Sequence, residues 1–255
     1  MRRPLRLALL LLLALFPLAP RTVLAASPVA IVSGPSWDGP EGELQHIVDG
    51  YLGVPGALNV NTDFVGAHAG DIDPWFWVGS GGPVLLVTAI AANKDFNALG
   101  WYVETGTAPV IDGIDDGEIF SGTGTTGASA ILAFPGSRTK FGFYLDTHQL
   151  VTTPTGTREQ IFCTNRKFND VGPSGFAPTH APFDGDVQAK VFDVSAWKGT
   201  DTWLICFEDR DSGLPMTPCC AGTDNDFNDL VFQIKAMGAT PAQKLTFGGL
   251  KARYH

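Results

Sequence analysis

Thr202-Trp203-Leu204-Ile205-Cys206-Phe207-Glu208-Asp209 and, after a polar loop, Asp224-Asn225-Asp226-Phe227-Asn228-Asp229-Leu230-Val231-Phe232-Gln233-Ile234 are the stretches on which the fold turns. Each holds a short run of aromatic and β-branched residues bordered by acids, as a strand does where it leaves a sheet. The loop between them carries Gly213, Pro215, Pro218 and Gly222, which form turns rather than helices. Consecutive strands with a non-helical connection usually pair antiparallel. Their loop-side ends then meet, and Glu208 and Asp209 come to lie beside Asp226 and Asp229. Alternation also sets Asp224, Asp226 and Asn228 on one side, provided that the backbone there is already extended.

Further strand signals lie upstream. Pro83-Val84-Leu85-Leu86-Val87-Thr88-Ala89-Ile90 is a continuous apolar run, the pattern of a strand buried on both faces. Ala130 to Phe134 and Gln188 to Val194 are shorter runs of the same kind, separated by Gly, Pro, Asn and Asp. One segment looks helical: in Gly42 to Tyr51, Leu44, Ile47, Val48 and Tyr51 recur at helical spacing. Leu99-Gly100-Trp101-Tyr102-Val103-Glu104 is echoed by Phe141-Gly142-Phe143-Tyr144-Leu145-Asp146. In a strand, each copy puts its Tyr and its acid on one face, and its other aromatic and its aliphatic on the opposite one. The expected fold is all-β: a single β-sandwich of jelly-roll type with one short N-terminal helix. No linker divides residues 27–255, so one domain is expected.

Composition narrows the class. The 255 residues are 44% apolar and 17% charged, with 30 Gly and 18 Pro, enough for one sizeable core and unsuited to long helices. A net charge of −9 argues against phosphate backbones and anionic membrane surfaces as natural partners. Residues 1–26 read as a secretory signal peptide, with Arg2, Arg3 and Arg6 before a Leu-rich run from Leu7 to Leu18 and small residues near Ala25. The run is shorter than the ~20 residues of a membrane span, though a retained signal-anchor helix is the alternative reading. Removal would leave 13 basic residues against 26 acidic ones, a strongly acidic secreted or cell-surface chain with no membrane span. Cys163, Cys206, Cys219 and Cys220 suit one or two disulfides in an oxidising compartment, with the pairing open.

The chemistry gathers at the hairpin. Two carboxylates about 4 Å apart repel by on the order of 4 kcal/mol at an effective dielectric near 20, and a divalent cation removes that penalty. Calcium fits a donor set of Glu208, Asp209, Asp224, Asp226, Asn228 and Asp229, since it takes roughly 6–8 oxygens from such groups. The absence of nearby His argues against zinc or copper. The hairpin is no EF-hand, because Asp229 stands where that loop needs Gly and Lys235 where it needs Glu. The competing explanation is that these Asp and Asn residues only cap backbone amides in Asx-turns. A second acidic stretch, Asp112-Gly113-Ile114-Asp115-Asp116-Gly117-Glu118, reads as a solvated turn.

Phe207-Glu208-Asp209 and Asp224-Asn225-Asp226-Phe227-Asn228-Asp229-Leu230-Val231-Phe232 together resemble the signature of the bacterial family called domain of unknown function 4114. Phe141 to Thr147 is similar to that family's Phe-Gly-Phe-Tyr-Leu strand, and Asn97 to Tyr102 to an earlier one. Leu44-Gln45-His46-Ile47 and Asn59-Val60-Asn61 resemble the start of exported members that bear a Pro-Glu-Pro sorting tail, which is not seen here. The resemblance implies an exported β-rich module of surface and adhesin-like proteins, with suspected calcium binding and no established reaction.

Three functions compete. The first is a non-catalytic, calcium-stabilised extracellular module for adhesion or structure, whose partner would be a surface or matrix component. The second is carbohydrate binding through Trp75, Phe76, Trp77 and Trp101, residues that burial tendencies place more often in a core. The third is a glycoside hydrolase built on paired acids, but carboxylates gathered round a cation cannot also serve as free acid and nucleophile. No G-x-S-x-G or H-E-x-x-H motif occurs, and His46, His68, His148 and His180 are scattered, so no enzyme is expected.

Overall fold

The computed structural model describes residues 43–65, 77–90, 95–121, 124–134, 139–153, 156–165, 168–169, 187–210, 226–235 and 240–241. The expected signal segment, Trp75, Phe76, His68, His180, Cys219, Cys220 and Asp224 lie outside the described residues, as does Asp71-Ile72-Asp73, whose composition before Pro74 reads as a turn.

The chain runs from α1 (Leu44–Leu52) through β1 (Trp77–Gly79), β2 (Gly81–Ala89), β3 (Ala98–Val103), β4 (Asp116–Phe120) and β5 (Ser129–Ala133). It continues with β6 (Thr139–Thr153), β7 (Gly156–Cys163), β8 (Ala189–Asp193), the one-turn α2 (Ser195–Lys198), β9 (Thr202–Phe207), β10 (Leu230–Lys235) and β11 (Thr240–Pro241). One sheet has the order β11-β1-β6-β3-β4, with β7 also paired to β6; the other has the order β5-β2-β10-β9-β8. Every pairing is antiparallel. The protein is thus an all-β sandwich of two sheets. No helix among the described residues is long and apolar enough to cross a membrane.

Alternate side chains from the two sheets fill the interior. Trp77, Leu99, Phe141, Phe143, Leu145 and Phe162 come from one sheet, and Val84, Leu86, Trp203, Ile205, Phe207 and Phe232 from the other. Aromatic edges lock the sheets together: Phe143 meets Phe232 at a ring separation of 5.0 Å, and Trp77 meets Trp203 at 6.5 Å. Each such pair adds roughly 0.5–1.5 kcal/mol to simple area burial.

The outer faces are also partly covered. Leu44, Val48 and Leu52 of α1 pack with Phe192, Val194, Leu204, Cys206 and Val231 on the back of β8–β10. Leu44 and Val48 of the expected helical stripe are buried, with Leu52 beside them, while Ile47 and Tyr51 lie at its margin. Nine residues are too few for an isolated helix in water, so this burial is what holds α1. Every residue of β9 is therefore buried, Trp203, Ile205 and Phe207 inward and Leu204 and Cys206 outward. The strand expected to be buried on both faces is covered on one face only: in β2, Val84 and Leu86 enter the core while Pro83, Leu85 and Val87 are half-buried. It lies next to the edge strand β5, and of its outward side chains Val87 meets the margin of the α1 layer.

The repeated motif has a geometric purpose. Its two copies are β3 and β6, and they pair with each other, so that Gly100 lies opposite Tyr144 and Gly142 opposite Tyr102. Each ring occupies the space above the other strand's glycine, where a Cβ would collide with ring carbons. Tyr102 and Tyr144 share the outer face with Ile161, Cys163 and Phe168, while Leu99 and Leu145 face the core.

Candidate metal centre

The sequence dictates how the site is built. β9 and β10 pair with Leu230 opposite Phe207 and Lys235 opposite Thr202, so the segment leaving β9 and the one entering β10 are side by side. The Asp209 N–H donates to Asp229 Oδ2 (2.7 Å), and the Phe227 N–H donates to Glu208 Oε2 (3.4 Å). One carboxylate oxygen from each of Glu208, Asp226 and Asp229 lies within 4.8 Å of the other two. All three side chains are buried, Glu208 completely.

The backbone before β10 is not extended, contrary to the condition set for simple alternation. Phe227 adopts φ 55°, a left-handed conformation that costs a bulky residue roughly 1–2 kcal/mol. Its ring is fully buried under α1, and Lys190 Nζ sits 5.1 Å from the ring centroid. The reversed twist lets Asp226 curl back, so that its Oδ1 accepts the Asn228 N–H at 3.3 Å. Asx-turn chemistry is therefore present at this position. It does not account for Glu208, which arrives from the other strand.

Electrostatics oppose this arrangement unless something positive joins it. Burial, followed by the charges of Glu208, Asp209 and Asp226, pushes the Asp229 carboxyl well above its ordinary pKa, and only the Asp209 N–H pulls the other way. Three buried carboxylates offer up to six oxygens, a donor set suited to a hard divalent cation. These residues can hold a metal ion.

The remaining expected donors are placed differently. Asp209 is buried next to the trio, but its Oδ2 accepts the Asn97 Nδ2–H at 3.0 Å. Asn228 is fully buried within the same turn. Asn97 is a neighbour that the local sequence did not reveal, because 112 residues separate it from Asp209. Its only signal was its position at the head of the motif that opens β3.

Other candidates have other places. Trp77 is completely buried in the core, and Trp101 packs edge-on against Phe134 with ring centroids 4.8 Å apart. In the second acidic stretch, Asp116 accepts the N–H groups of Asp112 and Gly113, which is turn chemistry, but the carboxylate is buried rather than solvated. Residues from Asp116 onward form β4. His46 is exposed, and His148 Nδ1 lies 3.3 Å from Asp146 Oδ1. Cys163 and Cys206 are free, buried thiols on opposite outer faces of the sandwich, which corrects the expectation that they take part in disulfides. Comparison of the chain with protein-family models, with curated proteins and with solved structures returns no match.

Proposed function

We propose that this chain is an exported, non-catalytic module, a β-sandwich stabilised by calcium that serves adhesion or structure at the cell surface or in a matrix. The observation that carries the reading is the convergence of Glu208, Asp226 and Asp229, buried and drawn from two strands, at one end of the sandwich. Calcium is favoured because every donor is an oxygen and no His or Cys belongs to the group. The leader-like residues 1–26 support export, and the likeness of the hairpin to surface and adhesin-like proteins supports the role. A glycosidase needs solvent and substrate at its acids, whereas Glu208 is completely buried.

The test is a thermal melt in calcium and then in chelator, on the wild type and on the double variant Asp226→Ala/Asp229→Ala. At calcium about 100-fold above its dissociation constant the wild type gains ~2.7 kcal/mol, or roughly 5–10 °C for a domain of this size. The double variant shows no calcium-dependent shift. Superimposable wild-type curves with and without calcium end the reading.

A further inference from the structure

We infer that Asn97 supplies an additional oxygen ligand to the cation, so that one ion is gripped from both sheets. The inference rests on the calcium reading above and extends it to a residue on the other side of the sandwich. Asn97 is 1% exposed and immediately precedes β3, in the sheet that contains neither β9 nor β10. Its Nδ2 is fixed on Asp209 Oδ2, and Asp209 is in turn fixed by its own N–H on Asp229 Oδ2. The planar amide is thereby held against the acid cluster, and its Oδ1 is buried and accepts no hydrogen bond among the described residues. A buried carbonyl oxygen left in that state is destabilising. An amide carbonyl is also an ordinary calcium ligand. A bound cation would therefore answer both the crowded carboxylates and the stranded oxygen.

The same end of the molecule shows why a cross-sheet ligand is useful. The chain leaves β2 in one sheet and enters β3 in the other. The two sides of this passage are tied to the site by the Ile90 N–H on the Asp229 carbonyl (3.2 Å) and by Asn97 on Asp209. An ion bound by Asn97 would join the sheets where the chain crosses between them.

Affinity alone cannot separate a ligand from a residue that merely orients Asp209, since losing either kind weakens metal binding roughly 10–100-fold. Counting the waters on the metal does separate them. Terbium(III) is bound in place of calcium, and its luminescence lifetimes in H2O and D2O give the number of coordinated waters. Asn97→Ala is expected to carry one more water than the wild type and to bind calcium at least about tenfold more weakly. Asn97→Asp keeps a ligand oxygen but cannot donate to Asp209, so it is expected to retain the wild-type water number whatever its calcium affinity; it also covers the case in which the alanine variant does not fold. An unchanged water number in Asn97→Ala, or one raised in Asn97→Asp, overturns the role of Asn97 and leaves the acid site standing. A wild type that binds neither terbium nor calcium removes the site itself, and this inference with it.

Discussion

Glycine has opposite effects at different positions of this chain, and the difference is steric. At Gly142 a Cβ would collide with the ring of Tyr102, and at Gly100 with the ring of Tyr144. Both rings are buried against the outer face, so neither has room to swing aside. Gly142→Ala is expected to cost roughly 1–3 kcal/mol of stability in urea denaturation, as overpacking does. Gly50 lies on the exposed side of α1, and a methyl group added to its Cα would meet nothing within 4 Å. There Gly50→Ala is expected to stabilise by about 0.5–1 kcal/mol, because alanine loses less backbone entropy in a helix. A Gly142→Ala variant as stable as the wild type would show that the Tyr102 ring is not what requires the glycine. Phe227 carries a backbone cost of a related kind, accepted because its left-handed turn brings Asp226 back towards Glu208 while its ring fills the layer under α1.

At the scale of elements, a further buried charge is Lys190 on the edge strand β8. Its neighbours in sequence, Val191 and Phe192, fill the core and the α1 layer, and its ammonium lies 4.4 Å from the Phe64 ring centroid and 5.1 Å from that of Phe227. Burial lowers its pKa from 10.5 to about 8, against a smaller upward pull from Cys206. The folded state thus favours the neutral amine more than the unfolded chain does. The contribution to stability is full above pH 10.5 and is lost as pH falls through about 8. Lys190→Met is therefore expected to be more stable than the wild type at pH 7, by on the order of 1–3 kcal/mol. The gap should narrow at about pH 9.5, and a gap that stays constant between the two pH values would rule out titration of Lys190 as its source. Elements of this kind were unequally legible. The β9–β10 hairpin could be read because both faces of β9 are apolar and its ends are marked by acids. β4 was hidden, since Asp116-Gly117-Glu118 has turn composition and becomes strand only by pairing with β3. β1 and β11 have three and two residues, too few to show any period. In the site, Glu208, Asp226 and Asp229 followed from strand pairing, while Asn97 depends on how one sheet is laid over the other, which no local pattern records.

For the whole molecule, the consequence of the site lies in where it stands. β2, β9 and β10 reach it from one sheet, and β3 begins beside it in the other. At the opposite end, Lys235 lies opposite Thr202 and Ile234 opposite Val84 in ordinary ladder pairing, and Thr202 is further bonded to Ser195 and Gly199, with no acid cluster among these residues. Local opening in a sandwich starts where few contacts oppose it, and repulsion among buried carboxylates makes the acid-rich end the weaker one in the absence of metal. Calcium should therefore slow amide exchange unevenly along the strands. Peptides that contain Ile90, Asn97, Asp209 and Phe227 are expected to gain protection together, from both sheets, by about the ~100-fold that ~2.7 kcal/mol represents. Peptides over Ser195–Thr202 should change far less, because their opening does not expose the site. Hydrogen exchange read by mass spectrometry, with calcium and with chelator, measures both. A gain confined to the β9–β10 peptides would mean that the ion ties one hairpin and leaves the sheets independent, and an equal gain at both ends would mean that the sandwich opens only as a unit.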